Sequence, residues 1–496
     1  MNRSIVPITA FVVFVLTIPA AAQTGSSGSP AAGSEPFGLG TPGRHPQLIP
    51  GQFIVELHPG APQDDVLRAH GLVARARWRI VNGFVARMSD AAANRLRSDP
   101  SVRSVSPDVV VSAFPKPPSS GGGGGGGGGK GKGGGSTSPP ACPDTSAALS
   151  LVPEQVPTGV QRIGAANSPL AGAGVKVAVL DTGIDDCHPD LKDNVKGGTN
   201  VVDSTKPPRD DNGHGTHVAG IVAARPNDFG VVGVAPGAAL YAVKVLDAAG
   251  SGALSNVITG LDWAVTNGMK VANLSLGAPD FWCVLLGLCG AGTECTAVNN
   301  AVTRGVTVVV AAGNDATDAV FSTPANCRDS LTVTALADSD GGSGGLGPDL
   351  AVGGQPELDD TFAQTFSNFS VFGWDVNGDG LFTVEDHPVV DLMAPGVAIL
   401  STLPTFPVTL NTQYGLPLNY AILSGTSMAT PHVAGTAARY IAAHPGASAD
   451  AVRQALVLSG ECASAAPVTG LLCSTKWPDD PDVDSGSEPL VHISGF

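Results

Sequence analysis

The sequence predicts an α/β fold: a doubly wound, mostly parallel sheet with helices on both faces, preceded by a small α+β domain of ferredoxin-like order. Three observations predict it. Short, mainly apolar runs lie at 175–180, 239–245, 270–276, 306–311 and 331–336, as strands buried on both faces of a parallel sheet require. Helical periods separate them: Ala253, Leu254, Val257, Ile258, Leu261 and Val265 fall on one face. Residues 50–111, by contrast, read β-α-β-β-α-β.

In the small domain, 52–57, 76–80, 83–88 and 102–111 are the expected strands and 64–70 and 90–97 the helices. Asn82-Gly83 supplies a hairpin turn and Ser89 an N-cap. This domain is placed at 50–114. Residues 115–140 follow as a flexible linker, since nine consecutive glycines at 121–129 cannot pack a core. The larger domain is expected over 141–475, with an insertion at 338–390. The end, 476–496, carries Asp479, Asp480, Asp482, Asp484 and Glu488 and reads as an acidic surface extension.

The chain has 496 residues, too many for one ordinary domain. A hydrophobic content of 43% allows a sizeable core, because part of the 65 glycines sits in the linker. A formal charge of -16 argues against nucleic acid as a partner. The charge is uneven: residues 23–140 hold 12 Lys and Arg against 7 Asp and Glu, a net +5, whereas 141–496 hold 14 against 36, a net -22. The two parts would attract each other at long range; equally, an acidic exported protein simply stays soluble.

Residues 1–22 read as a signal peptide, with Arg3, an apolar stretch at 5–18 and small residues at 20–22. The stretch is too short for a membrane anchor, so the protein is expected to be secreted and extracellular. All eight cysteines (142, 187, 283, 289, 295, 327, 462 and 473) follow the basic segment. An even count in an exported chain predicts up to four disulfides; the pairing stays open, with Cys462 and Cys473 one plausible pair. No CxxC pair supports zinc.

Three segments carry candidate chemistry. VLDTGID (179–185) ends a strand on Asp181, a place where a carboxylate either orients an imidazole or caps a turn. NGHGTHVAG (212–220) opens a helix at His214; with no third ligand and no HExxH, a single general base fits better than a metal, and His217 is structural. GTSMATPHVAG (425–435) sets Ser427 at a helix start, where free N–H groups suit an oxyanion as readily as they suit a capping box. His432, inside that helix, reads as core.

Together, and in that order, these segments resemble the three signature segments of the subtilisin family of serine proteases, over roughly residues 150–460. The resemblance implies a secreted serine endopeptidase in which Asp181 orients His214, His214 is the base and Ser427 the nucleophile. AAGND (311–315) matches the family's oxyanion segment at Asn314. Gly250, Ser251 and Gly252, with Ser275, Leu276 and Gly277, match the edge strands that pair with an extended peptide. Leu276 and 311–313, including Gly313, would then wall an apolar primary pocket, implying broad preference for large apolar side chains.

Within the small domain, FIVEL (53–57), GFVA (83–86) and VSPD (105–108) resemble the propeptide inhibitor of such enzymes. That implies an autoprocessed zymogen, cut near 111–114, whose own propeptide is an intramolecular partner. A monomer is expected. The insertion holds DVNGDGLFTVED (375–386), which fits a calcium loop at Asp375, Asn377, Asp379, Gly380 and Thr383, with Leu381 at the carbonyl position. Asp386 stands where Glu is usual, as in the dockerin loops it resembles. Calcium is thus the expected structural ion, an Asp/Gly turn without metal the alternative. Rival functions on the same fold are a peptide-binding pseudoprotease and an adhesive calcium-binding surface protein. The complete set of motif residues disfavours the first, and the single calcium loop the second.

Overall fold

The computed structural model describes residues 46–113, 142, 152–280, 292–370, 388–462, 468–469, 472–473, 477–478 and 488–493. The N-terminal unit runs β1 (Leu48–Leu57), α1 (Gln63–Ala69), β2 (Ala74–Trp78), β3 (Gly83–Arg87), α2 (Asp90–Leu96) and β4 (Val102–Ala113). Its sheet is antiparallel in the order β4-β1-β3-β2. Ser89 caps α2 through the Ala92 N–H, as its position predicts. From Gln52 to Leu57 β1 is buried on both faces for a reason. Phe53, Val55 and Leu57 pack with Val66, Leu67 and Leu96 of the unit's own helices, while Ile54 points into a second cluster shared with the rest of the chain.

The larger unit is built on β5 (Lys176–Asp181), β6 (Val195–Asn200), β7 (Ala239–Lys244), β9 (Val271–Leu274), β11 (Thr307–Ala311), β13 (Leu331–Ala337) and β17 (Leu392–Pro395), in a parallel sheet. The order is β6-β7-β5-β9-β11-β13, with β17 and a short antiparallel β16 (Thr361–Phe362) both joined to β13. Helix α3 (Thr158–Arg162) precedes β5, α4 (His214–Ala223) follows β6, and α5 (Leu254–Thr266) follows the short β8 (Ser251–Ala253). Beyond β10 (Leu276–Pro279) come α6 (Thr293–Thr303) and, after β11, β12 (Ser322–Thr323). Hairpins β14 (Leu350–Val352) with β15 (Gln355–Glu357) and β18 (Ile399–Thr402) with β19 (Tyr420–Leu423) decorate the sheet. Helix α7 (Thr409–Tyr414) lies between β18 and β19, and α8 (Thr426–Ala443) and α9 (Ala449–Leu458) close the chain's core. One buried cluster holds α4 and α8 with Val177 and Val179, the other α5 and α6 with Ala178 and Leu180. Successive residues of β5 therefore face opposite layers, the doubly wound arrangement the sequence predicts.

Among the described residues, three disulfides join Cys142 to Cys187, Cys295 to Cys327 and Cys462 to Cys473. Cys283 and Cys289 lie outside the described residues, as do the signal segment, the glycine tract and the 375–386 loop. One expectation needs correcting. Of the 476–496 end, residues 488–493 are not a surface extension: Leu490, Val491 and Ile493 are buried. Leu490 exchanges backbone bonds with Glu461, Val491 N–H donates to Met393 and Ile493 N–H to Ile163. The acidic count of the segment hid its last apolar residues, which dock on the sheet edge beside β17. Among the described residues, no helix is long and apolar enough to cross a membrane.

Candidate active site

Asp181 ends β5 and His214 begins α4, so both stand at the carboxyl edge of the sheet, where doubly wound folds place their sites. Asp181 is wholly buried, and its two oxygens lie 2.8 and 2.9 Å from His214 Nδ1. A carboxylate can only accept here, so Nδ1 carries a proton, and in the neutral ring Nε2 is the nitrogen with the lone pair. That Nε2 is buried without a hydrogen-bond partner. The Asp181 carboxylate is itself fixed by the Thr182 N–H at 2.7 Å.

Asp210 organises this pair, and sequence reasoning missed it. Its buried carboxylate accepts from Thr182 Oγ1, the Asn212, Gly213 and Thr216 N–H groups and Thr216 Oγ1. It thus ties the loop after Asp181 to the first turn of α4. The signal lay two residues before the His214 segment, in an Asp-Asp pair that could equally cap a turn.

Ser427 sits in the first turn of α8. Gly425, at φ 148°, makes the approach that a side chain would strain. Pro431 explains a further contact. Having no N–H, it cannot bond the Ser427 carbonyl four residues back, and that carbonyl instead accepts Ser275 Oγ at 2.8 Å. In return Ser427 Oγ donates to the Ser275 carbonyl at 3.2 Å.

Asn314 follows β11. Its Oδ1 accepts from Thr426 N–H and Oγ1, both at 2.9 Å, which turns its Nδ2 away from Thr426. The loop bearing it is braced by Asn368, a second residue without sequence signal. Asn368 Oδ1 accepts from Asp315 and Thr317 N–H groups, and its Nδ2 donates to the Ala312 carbonyl. Gly313 is required there: φ is 113°, and a Cβ would lie 2.4 Å from Asn368 Nδ2. His217 and His432 are buried within α4 and α8. Burial lowers His217 to about 3 and His432 to about 4, so both stay neutral, in keeping with structural roles.

The predicted edge-strand residues Gly250, Ser251, Gly252, Leu276 and Gly277 flank β4 of the N-terminal unit. β4 pairs antiparallel with β8 (Val110 opposite Ala253, Val111 opposite Gly252, Ser112 opposite Ser251). On its other edge β4 pairs with β10, Ser112 opposite Gly277 and Ala113 opposite Leu276. Ala113 N–H also donates to the Gly250 carbonyl at 2.9 Å. A segment of this chain therefore lies between both edge strands as an added strand. Asp108 secures it, accepting from Ser255 N–H and Oγ at the start of α5. Across the same interface Asp262 of α5 accepts from the Arg79 and Ile80 N–H groups.

Glu294, in the first turn of α6, lies behind this interface. Burial, then repulsion from Asp280 and from Glu56 of β1, pushes its carboxyl up to about 7, from an ordinary 4.5. The folded group thus holds a proton through a range in which the free group has lost it. Stability falls as pH rises from about 4.5 through about 7. Thermal unfolding of an uncleaved chain against pH is expected to show this slope, reduced in Glu294→Gln; an identical slope in both removes Glu294 as its source. Among the described residues, Asp338, Asp340 and Asp359 form a carboxylate group able to hold a metal.

The sequence profile of the subtilase family matches residues 172–474. The alkaline protease of Shouchella clausii is 41% identical over 298 residues, 60% of this chain and 62% of that protein. The chain thus spans about three fifths of the length of that relative. Subtilisin E of Bacillus subtilis is 34% identical over 392 residues, 78% of this chain and 77% of its own. In fold, the chain is similar to fervidolysin from Fervidobacterium pennivorans, a keratinolytic enzyme related to subtilisin, with TM-score 0.61 and 23% identity over 91% of this chain and 61% of that one. The profile match covers more than half of the residues and includes all three signature segments: the chain belongs to the subtilase family.

Proposed function

We propose that the protein is a secreted serine endopeptidase made as an autoprocessed zymogen, with Asp181, His214 and Ser427 as its catalytic triad. The observation that carries this reading is β4, bound between β8 and β10 as an extended substrate would be, beside the buried Asp181–His214 pair. In the proposed mechanism Ser427 Oγ leaves its contact with Ser275 and attacks the scissile carbonyl carbon. His214 Nε2 takes the hydroxyl proton and returns it to the leaving amine, while Asp181 holds the tautomer and balances the imidazolium. Asn314 Nδ2 and the Ser427 N–H receive the developing oxyanion. Water then repeats the sequence on the acyl-enzyme.

Gly250, Ser251, Gly252, Ser275, Leu276, Gly277 and Gly313 are proposed to bind substrate chiefly through the main chain, which suits broad specificity with apolar preference. The 50–114 domain acts as propeptide inhibitor and remains in the cleft after cleavage. Export is supported by the leader-like segment 1–22 and by three disulfides.

Ala113, the last described residue of β4, lies opposite Leu276, the neighbour of Ser275, which Ser427 Oγ contacts. The bond after Phe114 is the one expected to break, and Pro115 follows it. A proline nitrogen carries a ring carbon where other residues carry hydrogen, which crowds the side from which His214 must deliver its proton. Maturation is therefore expected to be slow, and Pro115→Ala to speed it about tenfold, ~1.4 kcal/mol off the barrier. Mass spectrometry of the fragments over time checks both points; a first cut elsewhere, or an unchanged rate, contradicts them. In pure form, Ser427→Ala is expected to leave the precursor uncut.

Calcium is proposed as a structural ion in the 375–386 loop, held by Asp375, Asn377, Asp379, the Leu381 carbonyl, Thr383 and Asp386. Such an all-oxygen donor set suits that hard cation. Excess chelator is expected to lower the melting temperature of Asp340→Asn, which retains this loop; an unchanged value removes the loop from the account.

A further inference from the structure

Where the insertion leaves β13, it opens with carboxylates that the proposed peptide hydrolysis does not use. Asp338, Asp340 and Asp359 each bring a ligand oxygen within 4.8 Å of the other two. Asp338 and Asp359 are buried, whereas Asp340 is exposed and leaves the group open to solvent. Asp360 and Glu461 stand beside them, but both are engaged by Arg162. Its Nε donates to Asp360 at 2.8 Å, and its two terminal nitrogens donate to Glu461 at 2.9 and 3.1 Å. Among the described residues the first three acids have no comparable partner. Among the described residues their nearest basic nitrogen is Arg162 Nε, 3.9 Å from Asp338 Oδ1.

The glycine-rich turn that follows orients these carboxylates. Gly341 N–H donates to Asp338 Oδ1, Gly342 N–H to Asp340 Oδ1, and Ser339 and Gly347 N–H groups to the two oxygens of Asp359. Asp338 Oδ2 is left buried with no hydrogen-bond partner, a costly state for an oxygen among other acids unless a cation meets it. Burial, with Asp360 and Asp359 adding and Arg162 opposing, pushes the Asp338 carboxyl up to about 7. An all-carboxylate donor set suits a hard divalent cation, and the separations stay within the span of one calcium ion. Calcium holds its ligands at roughly 2.3–2.6 Å, so two oxygens on one ion stand at most about 5.2 Å apart.

We propose that Asp338, Asp340 and Asp359 bind a calcium-type divalent cation, with Asp338 Oδ2 as its buried ligand. Together with Arg162, the ion pins the root of the insertion to α3 and to Glu461. None of its ligands belongs to the 375–386 segment, and the proposal does not depend on the peptidase reading.

Trp477 lines a 210 Å³ cavity with Asp359, Asp360 and Arg162, so it can sensitise a lanthanide bound at this group. Terbium is titrated into the full-length Ser427→Ala chain with excitation through tryptophan, then displaced with calcium. A calcium-displaced emission component is expected that disappears in Trp477→Phe and in Asp340→Asn. The same component is expected to survive Trp374→Phe, which adjoins the other loop. Because Asp340 is exposed, its substitution tests the site without disturbing the core. Absence of any Trp477-dependent component, or its retention in Asp340→Asn, overturns the proposal.

Discussion

Replacing Ser427 with alanine is expected to lower turnover by about 10⁶-fold, the size of loss found when the nucleophile of subtilisin itself is removed. The reason is local. Ser427 stands at the α8 N-terminus with its carbonyl fixed by Ser275 and its neighbour Thr426 bound to Asn314. Alanine keeps the backbone, and with it the proposed oxyanion donors, but removes the proposed nucleophilic oxygen. The fold should survive: the one hydrogen bond lost by the side chain is a 3.2 Å contact to the Ser275 carbonyl. Hydrolysis of a casein-like substrate by the variant within tenfold of the unsubstituted enzyme would contradict the assignment.

The second large effect is expected from Asp181→Asn, about 10⁴-fold in kcat, the loss recorded for the equivalent change in a serine protease of another fold. Both oxygens of Asp181 face His214 Nδ1, at 2.8 and 2.9 Å. The Thr182 N–H already donates to Oδ1, so an asparagine would keep its oxygen there and offer its NH₂ to the ring. Nδ1 would then have to accept, the ring proton would move to Nε2, and the base would vanish with every side chain still in position. Substrate pairing with β8 and β10 is untouched, so KM should change little while kcat falls. A kcat loss below about tenfold would show that Asp181 does not set the tautomer.

Much of this was legible in the sequence because it is local. The apolar runs became β5, β7, β9, β11 and β13 with shifts of one or two residues at their ends, since strands buried on both faces need little beyond continuous apolar side chains. The three motifs were legible because each side chain lies at a strand end or helix start within its own segment. What escaped was long-range. The run at 270–276 is two strands, parted at Ser275, because that residue exchanges bonds with Ser427, 152 positions away. β4 extends past Val111 to Ala113 because Ser251 and Leu276 receive it, and nothing in 112–113 announces that. Asp210 and Asn368 act largely through backbone groups of distant loops, partners that leave no pattern in the sequence. Residues 488–493 read as surface because their partners, Met393 and Glu461, come from other elements.

The central claim is that Ser427, activated by His214, is the nucleophile of a peptidase. Treating the processed protein with a phosphonofluoridate and mapping its peptides tests this most directly. One phosphonyl group on the peptide containing Ser427, with hydrolysis lost in step, is the predicted result. Modification elsewhere with full loss of activity, or none at all in a protein that still hydrolyses casein, would contradict it.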